Sequence, residues 1–300
     1  MRIHFILSVG LGLAISAAGD LFAQTQTNSM AIKEGFVKTN GEFVTIGTIM
    51  IKTNSPLNTD EFKSFMWREE QLLEIANSRA SNAMDQFAEG AWALIKDYPD
   101  KPNGYQDIMW AADDDQYDGK PDKARTLANE LIQSSAPEEY KLWAKGFLNR
   151  LDSFGKPVSL QFTAVDGREV DLARLRGRVV LVDFWATGCG PCVAELPRIK
   201  AAYDKFHAQG FEIIGVSCDT DKDRLNKFLH EKGLPWPQYF DGKGFDDKIA
   251  QSFGIDGIPH MFLVDKKGLL RFDNVRASDK YHPKSDATSL EEKVSMLLAE

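Results

Sequence analysis

The run "VVLVDFWATGCGPC", residues 179–192, constrains this chain more than any other stretch. From Val179 to Trp185 every residue is apolar except Asp183. A short run of that composition reads as a buried strand. It leads to Cys189 and Cys192, and the intervening Pro191 suits the first turn of a helix, where its missing N–H would go unsatisfied anyway. Cys189 thus stands at a strand-to-helix junction. Its sulfur faces the unpaired amides and partial positive charge of a helix N-terminus, which favour thiolate over thiol. Lowering a thiol pKa from ~8.5 to ~7 shifts about 2 kcal/mol between protonation states and takes the thiolate at neutral pH from roughly 3% to roughly half. Cys192, one turn further in, can attack a mixed disulfide formed at Cys189, so the pair can close into a disulfide and reopen.

Asp183 alternates with Val182 and Phe184, so the pleat sets its face. A carboxylate buried without a partner is expensive, and its pKa rises instead. Held near neutral pH, it can take the proton of Cys192 during exchange and return it. The plainer alternative is a hydrogen-bonded or edge-exposed Asp with no catalytic part. Zinc is the rival use of two close cysteines, but it wants four ligands, and only Cys218 and five scattered histidines remain. No metal and no cofactor beyond the Cys189–Cys192 pair is expected. Cys218 ends an apolar run that should lie parallel to the first, where it is a small buried hydrophobe or a third redox thiol.

The chain has 300 residues, enough for two cores, and a net charge of −8 with no long run of Lys or Arg, which argues against nucleic acid and anionic membrane surfaces as partners. Residues 1–23 read as a secretory leader: one early cation, an apolar core too short to span a bilayer comfortably, then small residues. The expectation is export to the periplasm or another extracytoplasmic space. Residues 24–57 read as flexible and extended, with a hairpin signal at Asn40-Gly41. Residues 58–154 carry about five helical stripes, beginning with Phe62, Phe65, Met66, Leu72, Leu73 and Ala76 and a capping box of Asn58 and Glu61. Their rhythm is faintly similar to tetratricopeptide-type helical pairs, and Trp67, Trp92, Trp110 and Trp143 read as core. "DDDQYD", 113–118, lacks the Gly and closing Glu of a calcium loop and reads as a solvated turn. From 155 to 300 strands and helices alternate: a hairpin at Asp166-Gly167, then strand, helix, strand, helix, two short strands and a closing helix. The fold class is therefore an all-α helical-pair domain followed by a mixed α/β sheet with helices on its faces.

"VVLVDFWATGCGPC" resembles the active-site signature of thioredoxins, and "FTAVDGREVDLARLRGRVVLVDFWA" resembles the exported TlpA/ResA-type thiol-disulfide oxidoreductases of the redoxin group. The resemblance covers about residues 156–300 and implies a thioredoxin-like fold, with Cys189 attacking and Cys192 resolving. It implies that Asp183 is the buried aspartate, that Pro197 kinks the active-site helix, and that Ile258-Pro259 in "GIPHMFLVD" is the substrate-facing pair, with the proline cis. Gly188 and Trp185 join them on the substrate side. The chain departs twice from the pattern: Gly188 replaces the usual Trp before the first Cys, and His260 replaces the usual Thr after the proline. His260 either supports the Cys189 thiolate or, more simply, is a surface replacement. The resemblance implies an enzyme that reduces disulfides in client proteins, fed by a membrane-bound thiol reductant and serving cytochrome c maturation or envelope redox homeostasis. The helical domain is expected to bind a protein partner. Two other readings are a scaffold in which the CxxC is a structural disulfide, and a peroxiredoxin-like peroxidase, although the usual Thr-x-x-Cys arrangement is absent.

Overall fold

The computed structural model describes residues 30–39, 42–52, 60–78, 82–99, 101–277 and 289–300. The expected leader, the Asn40-Gly41 turn and Asn58 of the expected capping box lie outside the described residues. Strands β1 (Met30–Thr39) and β2 (Glu42–Lys52) pair antiparallel with Thr39 opposite Glu42, the register a short hairpin requires.

Five helices follow: α1 (Asp60–Ala76), α2 (Ala83–Asp97), α3 (Asn103–Tyr117), α4 (Pro121–Gln133) and α5 (Glu138–Asp152). Pro121 begins α4, and Pro137 is the residue before α5. Contacts divide the chain into two compact units at Ala111/Ala112, inside α3, so α4 and α5 belong with the second unit; the sequence places its boundary at 154/155. In the first unit α1 buries Phe65, Leu72 and Ala76, while α2 buries Phe87, Ala88, Ala91, Leu94 and Ile95. Two expectations fail here. Met66 and Trp67 are exposed, Trp67 at 60%, because they lie off the face that carries Phe65 and Leu72. Trp92, Trp110 and Trp143 are half-buried rather than core.

"DDDQYD" is not a turn. Asp113 to Tyr117 complete α3, Asp115 is buried and paired with Lys120 at 3.2 Å, and Asp113 pairs with Arg150 at 2.6 Å.

The second unit holds a two-stranded hairpin, β3 (Gln161–Thr163) with β4 (Glu169–Asp171), and a five-stranded sheet in the order β7-β6-β5-β8-β9. Its strands are β5 (Val179–Trp185), β6 (Phe211–Ser217), β7 (Gln238–Tyr239), β8 (His260–Val264) and β9 (Leu270–Phe272). β5 pairs parallel with β6 and antiparallel with β8, so the sheet is mixed. Helices α6 (Gly190–Phe206), α7 (Lys222–Lys232), α8 (Lys248–Ser252) and α9 (Leu290–Ala299) complete it.

The central strand sorts its residues by pleat. Val179 and Leu181 face Ile199, Ala202 and Phe206 of α6 and Leu290, Val294 and Leu297 of α9. Val180, Val182 and Phe184 face Phe162, Val170, Ile249 and Phe253 on the other side. All seven residues of β5 are buried.

Helix α5 packs on α8 with almost no space between backbones. A Cβ on Gly146 would lie 2.1 Å from the Gln251 carbonyl oxygen, and one on Gly254, at φ +60°, would lie 2.2 Å from the Phe147 nitrogen. Gly146→Val should therefore destabilise the fold by about 3 kcal/mol in urea denaturation, because the clash is with backbone and cannot be relieved by a rotamer change.

Candidate redox site

The site grows from the junction of β5 and α6. Cys189 is the N-cap of α6, and its sulfur accepts from the Cys192 amide at 3.2 Å. The Cys192 amide and the helix N-terminus thus face the sulfur, the arrangement that stabilises a thiolate. Cys189 is half-buried, Cys192 is 2% exposed, and the two are joined in a disulfide. Pro191 lies in the first turn of α6, while Pro197 sits inside the helix, where it removes one backbone bond. Ile258–Pro259 is a cis peptide, and the Ile258 carbonyl oxygen lies 3.7 Å from the Cys189 sulfur.

The loop before Cys189 is pinned by Asp219, which is itself 7% exposed. Its carboxylate accepts from the Thr187 amide at 2.9 Å, the Thr187 hydroxyl at 2.6 Å and the Ser217 hydroxyl at 2.9 Å. Gly188 is exposed, and a Cβ there would lie 3.2 Å from Nη2 of Arg224. A guanidinium therefore borders the space over the loop, where the resemblance implies a Trp side chain.

Asp183 is 2% exposed, and its Oδ1 has no hydrogen-bond partner. Burial, with the Glu195 carboxyl adding repulsion and Arg276 pulling the other way, pushes its pKa up to about 8. Asp183 pairs with Met261 and Gly215, and by the pleat it faces α6. Glu195 was not singled out by the sequence analysis. It is 1% exposed, one of its oxygens accepts from the Ala277 amide at 3.0 Å, and burial raises its pKa. The available signal was spacing: Glu195 is three residues after Cys192, on the same helical face.

Two expectations need correcting, those for Trp185 and His260. Trp185 is 1% exposed, donates to Gln238 Oε1 at 2.9 Å and packs with Cys192 and Leu196, so it floors the site rather than facing a substrate. His260 is 6% exposed and is no surface replacement. Nor does it share a face with α6: it pairs with Phe184, on the side of the sheet opposite Asp183. Its Nε2 lies 2.8 Å from Asp273 and 2.9 Å from Arg150. Cys218 is buried; burial first, then Asp247 and Asp219, push its thiol well above the ordinary range, which suits a small buried side chain and not a nucleophile.

Asp183 makes stability depend on pH with a definite sign. Its folded pKa of about 8 lies above the unfolded value, so its contribution is fully present below about pH 4 and is lost as pH rises through about 8. Asp183→Asn removes that titration. Between about pH 5 and about pH 8 it should lose less unfolding free energy than the parent, by about 3 kcal/mol, in denaturant titrations at a series of pH values. Glu195→Gln should move the Asp183 midpoint downward by removing the like charge.

The AhpC/TSA family model matches residues 155–273. The thiol-disulfide oxidoreductase ResA of Bacillus thuringiensis strain Al Hakam is 35% identical over 106 residues, which are 35% of this chain and 60% of the relative. ResA of Geobacillus thermodenitrificans strain NG80-2 is 34% identical over 107 residues, 36% of this chain and 60% of the relative. The chain thus spans 60% of the length of these curated relatives. Among solved structures, the thioredoxin domain of a thiol-disulfide oxidoreductase from Bacteroides vulgatus is 32% identical with a TM-score of 0.39, covering 43% of this chain and 94% of that one. Residues 155–273 thus match the AhpC/TSA family model, and the C-terminal half of the chain is similar to the ResA thiol-disulfide oxidoreductases.

Proposed function

We propose that this chain is an exported thiol-disulfide oxidoreductase that reduces disulfides in partner proteins. The observation that carries the reading is the capping of α6 by the Cys189 sulfur, with Ile258–Pro259 opposite it. In the dithiol form the Cys189 thiolate attacks one sulfur of a client disulfide. A mixed disulfide forms, and the client's other sulfur leaves as a thiolate and takes a proton. Asp183 accepts the Cys192 proton, and the Cys192 thiolate attacks Cys189. The second client sulfur leaves and takes a proton in turn. Two electrons pass from the protein pair to the client, and the Cys189–Cys192 disulfide results. A membrane-bound dithiol reductant restores the pair by the reverse exchange.

Reduction is favoured over oxidation by the Gly-Pro between the cysteines and the Ile before Pro259, both similar to reducing thioredoxins. Export is supported by the residues of the leader, and an extracytoplasmic space is one where such a pair needs a dedicated reductant. Cytochrome c maturation or envelope redox homeostasis is the process such activity would serve.

A redox titration of residues 24–300 against glutathione and dithiothreitol buffers tests the direction. A midpoint near about −270 mV, as in thioredoxin, is the expected result; one near about −120 mV would mean an oxidant. Cys192→Ala should trap clients as mixed disulfides at Cys189, seen as reductant-sensitive bands on gels. A scaffold would trap none, and a peroxidase would consume hydrogen peroxide faster than it reduces disulfides.

A further inference from the structure

The segment that carries Pro259 is gripped from behind by α5. Three bonds or near-contacts hold its first part: the Trp143 indole N–H donates to the Gly254 carbonyl at 2.9 Å, the Asn149 amide donates to the Ser252 carbonyl at 2.8 Å, and Gly146 lies against Gln251 and Gly254. Its far end is held by Arg150, which is 1% exposed. One Arg150 nitrogen lies 2.9 Å from His260 Nε2, another donates to Asp113 at 2.6 Å, and a third lies 3.4 Å from Asp273. His260 directly follows Pro259, and its ring also contacts Asp273 at 2.8 Å. Between these two anchored ends, Ile258 and Pro259 reach toward the Cys189 sulfur.

A guanidinium taken out of water is costly unless its donors are met, and apolar side chains of similar volume would usually give equal or greater stability. A buried ionic cluster is better suited to fixing one arrangement of the elements it joins. Here the elements are α5, the end of α3, and the strands on either side of the β8–β9 turn. None of these charges faces α6.

We propose that Arg150 is a positioning residue for exchange with protein clients: through His260 and Asp273 it fixes the Ile258–Pro259 segment beside which an extended client chain lies. The proposal rests on the oxidoreductase reading above. It gives the last helix of the helical half a task in the reaction. A small dithiol needs only to reach the sulfur. A protein client must also align its backbone along the segment, so misplacement of that segment weighs on it more heavily.

The test uses the full chain and two disulfide-exchange partners, insulin and dithiothreitol. Arg150→Met combined with Asp273→Asn removes both charges of one pair, so neither is left buried alone. The ratio of the insulin rate to the dithiothreitol rate should fall about tenfold in this variant, and Arg150→Lys should recover part of it. Trp143→Phe loses only the bond to the Gly254 carbonyl and buries no charge. It should lower the same ratio about threefold through the same segment, and if the double variant does not fold, Arg150→Lys carries the test of Arg150 by a partial fall in that ratio. A ratio equal to that of the parent in the folded variants overturns the role, as does an equal loss with both partners. A parent chain inactive with both partners overturns the exchange reading itself, and this role with it.

Discussion

Strand β5 is buried on both faces, and placing a carboxyl in it is the constraint around which the redox site is built. An ionised Asp183 would lack both water and a full set of donors, so the group keeps its proton up to about pH 8. Glu195 reinforces this by repulsion, while Arg276 limits it. The result is a buried carboxyl on the α6 side of the sheet that is neutral below about pH 8 and charged above it. The burial that raises the Asp183 pKa also makes its ionised form costly.

The pleat of β5 separates two kinds of chemistry that the linear sequence interleaves. Asp183 and Trp185 share the α6 face of the sheet, and Trp185 packs with Cys192. Phe184, between them, points the other way and stands opposite His260 on β8. A histidine one residue after Pro259 therefore contributes nothing directly to the sulfur chemistry. It joins Arg150, Asp273 and Asp113 instead, where burial and the adjacent guanidinium hold it neutral against the pull of Asp273. Arg150 itself stays charged: burial works against it, but Asp273 and Asp113 outweigh that.

Much of this was legible in the sequence for a physical reason. Runs with a strong period, such as β5, α6 and the stripe on α2, are set by local burial and appear in the pattern. Cys189 and Cys192 announce themselves because two thiols at a strand-to-helix junction have few uses. Asp183 is legible because a charge in an apolar run needs an account. The unread parts depend on partners remote in sequence. Asp113 looks like a solvent residue until Arg150 arrives from 37 positions away, and His260 looks like a surface residue until that same arginine covers it. Glu195 hides in an ordinary helical sequence because only the sheet below decides whether its face is wet. Strand β7, two residues long, has too little sequence to carry a pattern.

The two buried charge clusters are not independent, because one stretch of chain serves both. Residues 258–277 supply the Ile258 carbonyl beside Cys189, His260 and Asp273 to the Arg150 cluster, and Arg276 and the Ala277 amide to the Asp183–Glu195 pair. The Val275 amide returns to the Met261 carbonyl at 2.8 Å, which ties the end of that stretch back to β8. Buried ion pairs often contribute no more stability than apolar packing of the same volume. What the charges add is geometry: each fixes one face of the same short segment, and the segment lies against the reactive sulfur. Under the proposed exchange with an extended client chain, that fixed placement of Ile258–Pro259 beside Cys189 outweighs the stability forgone.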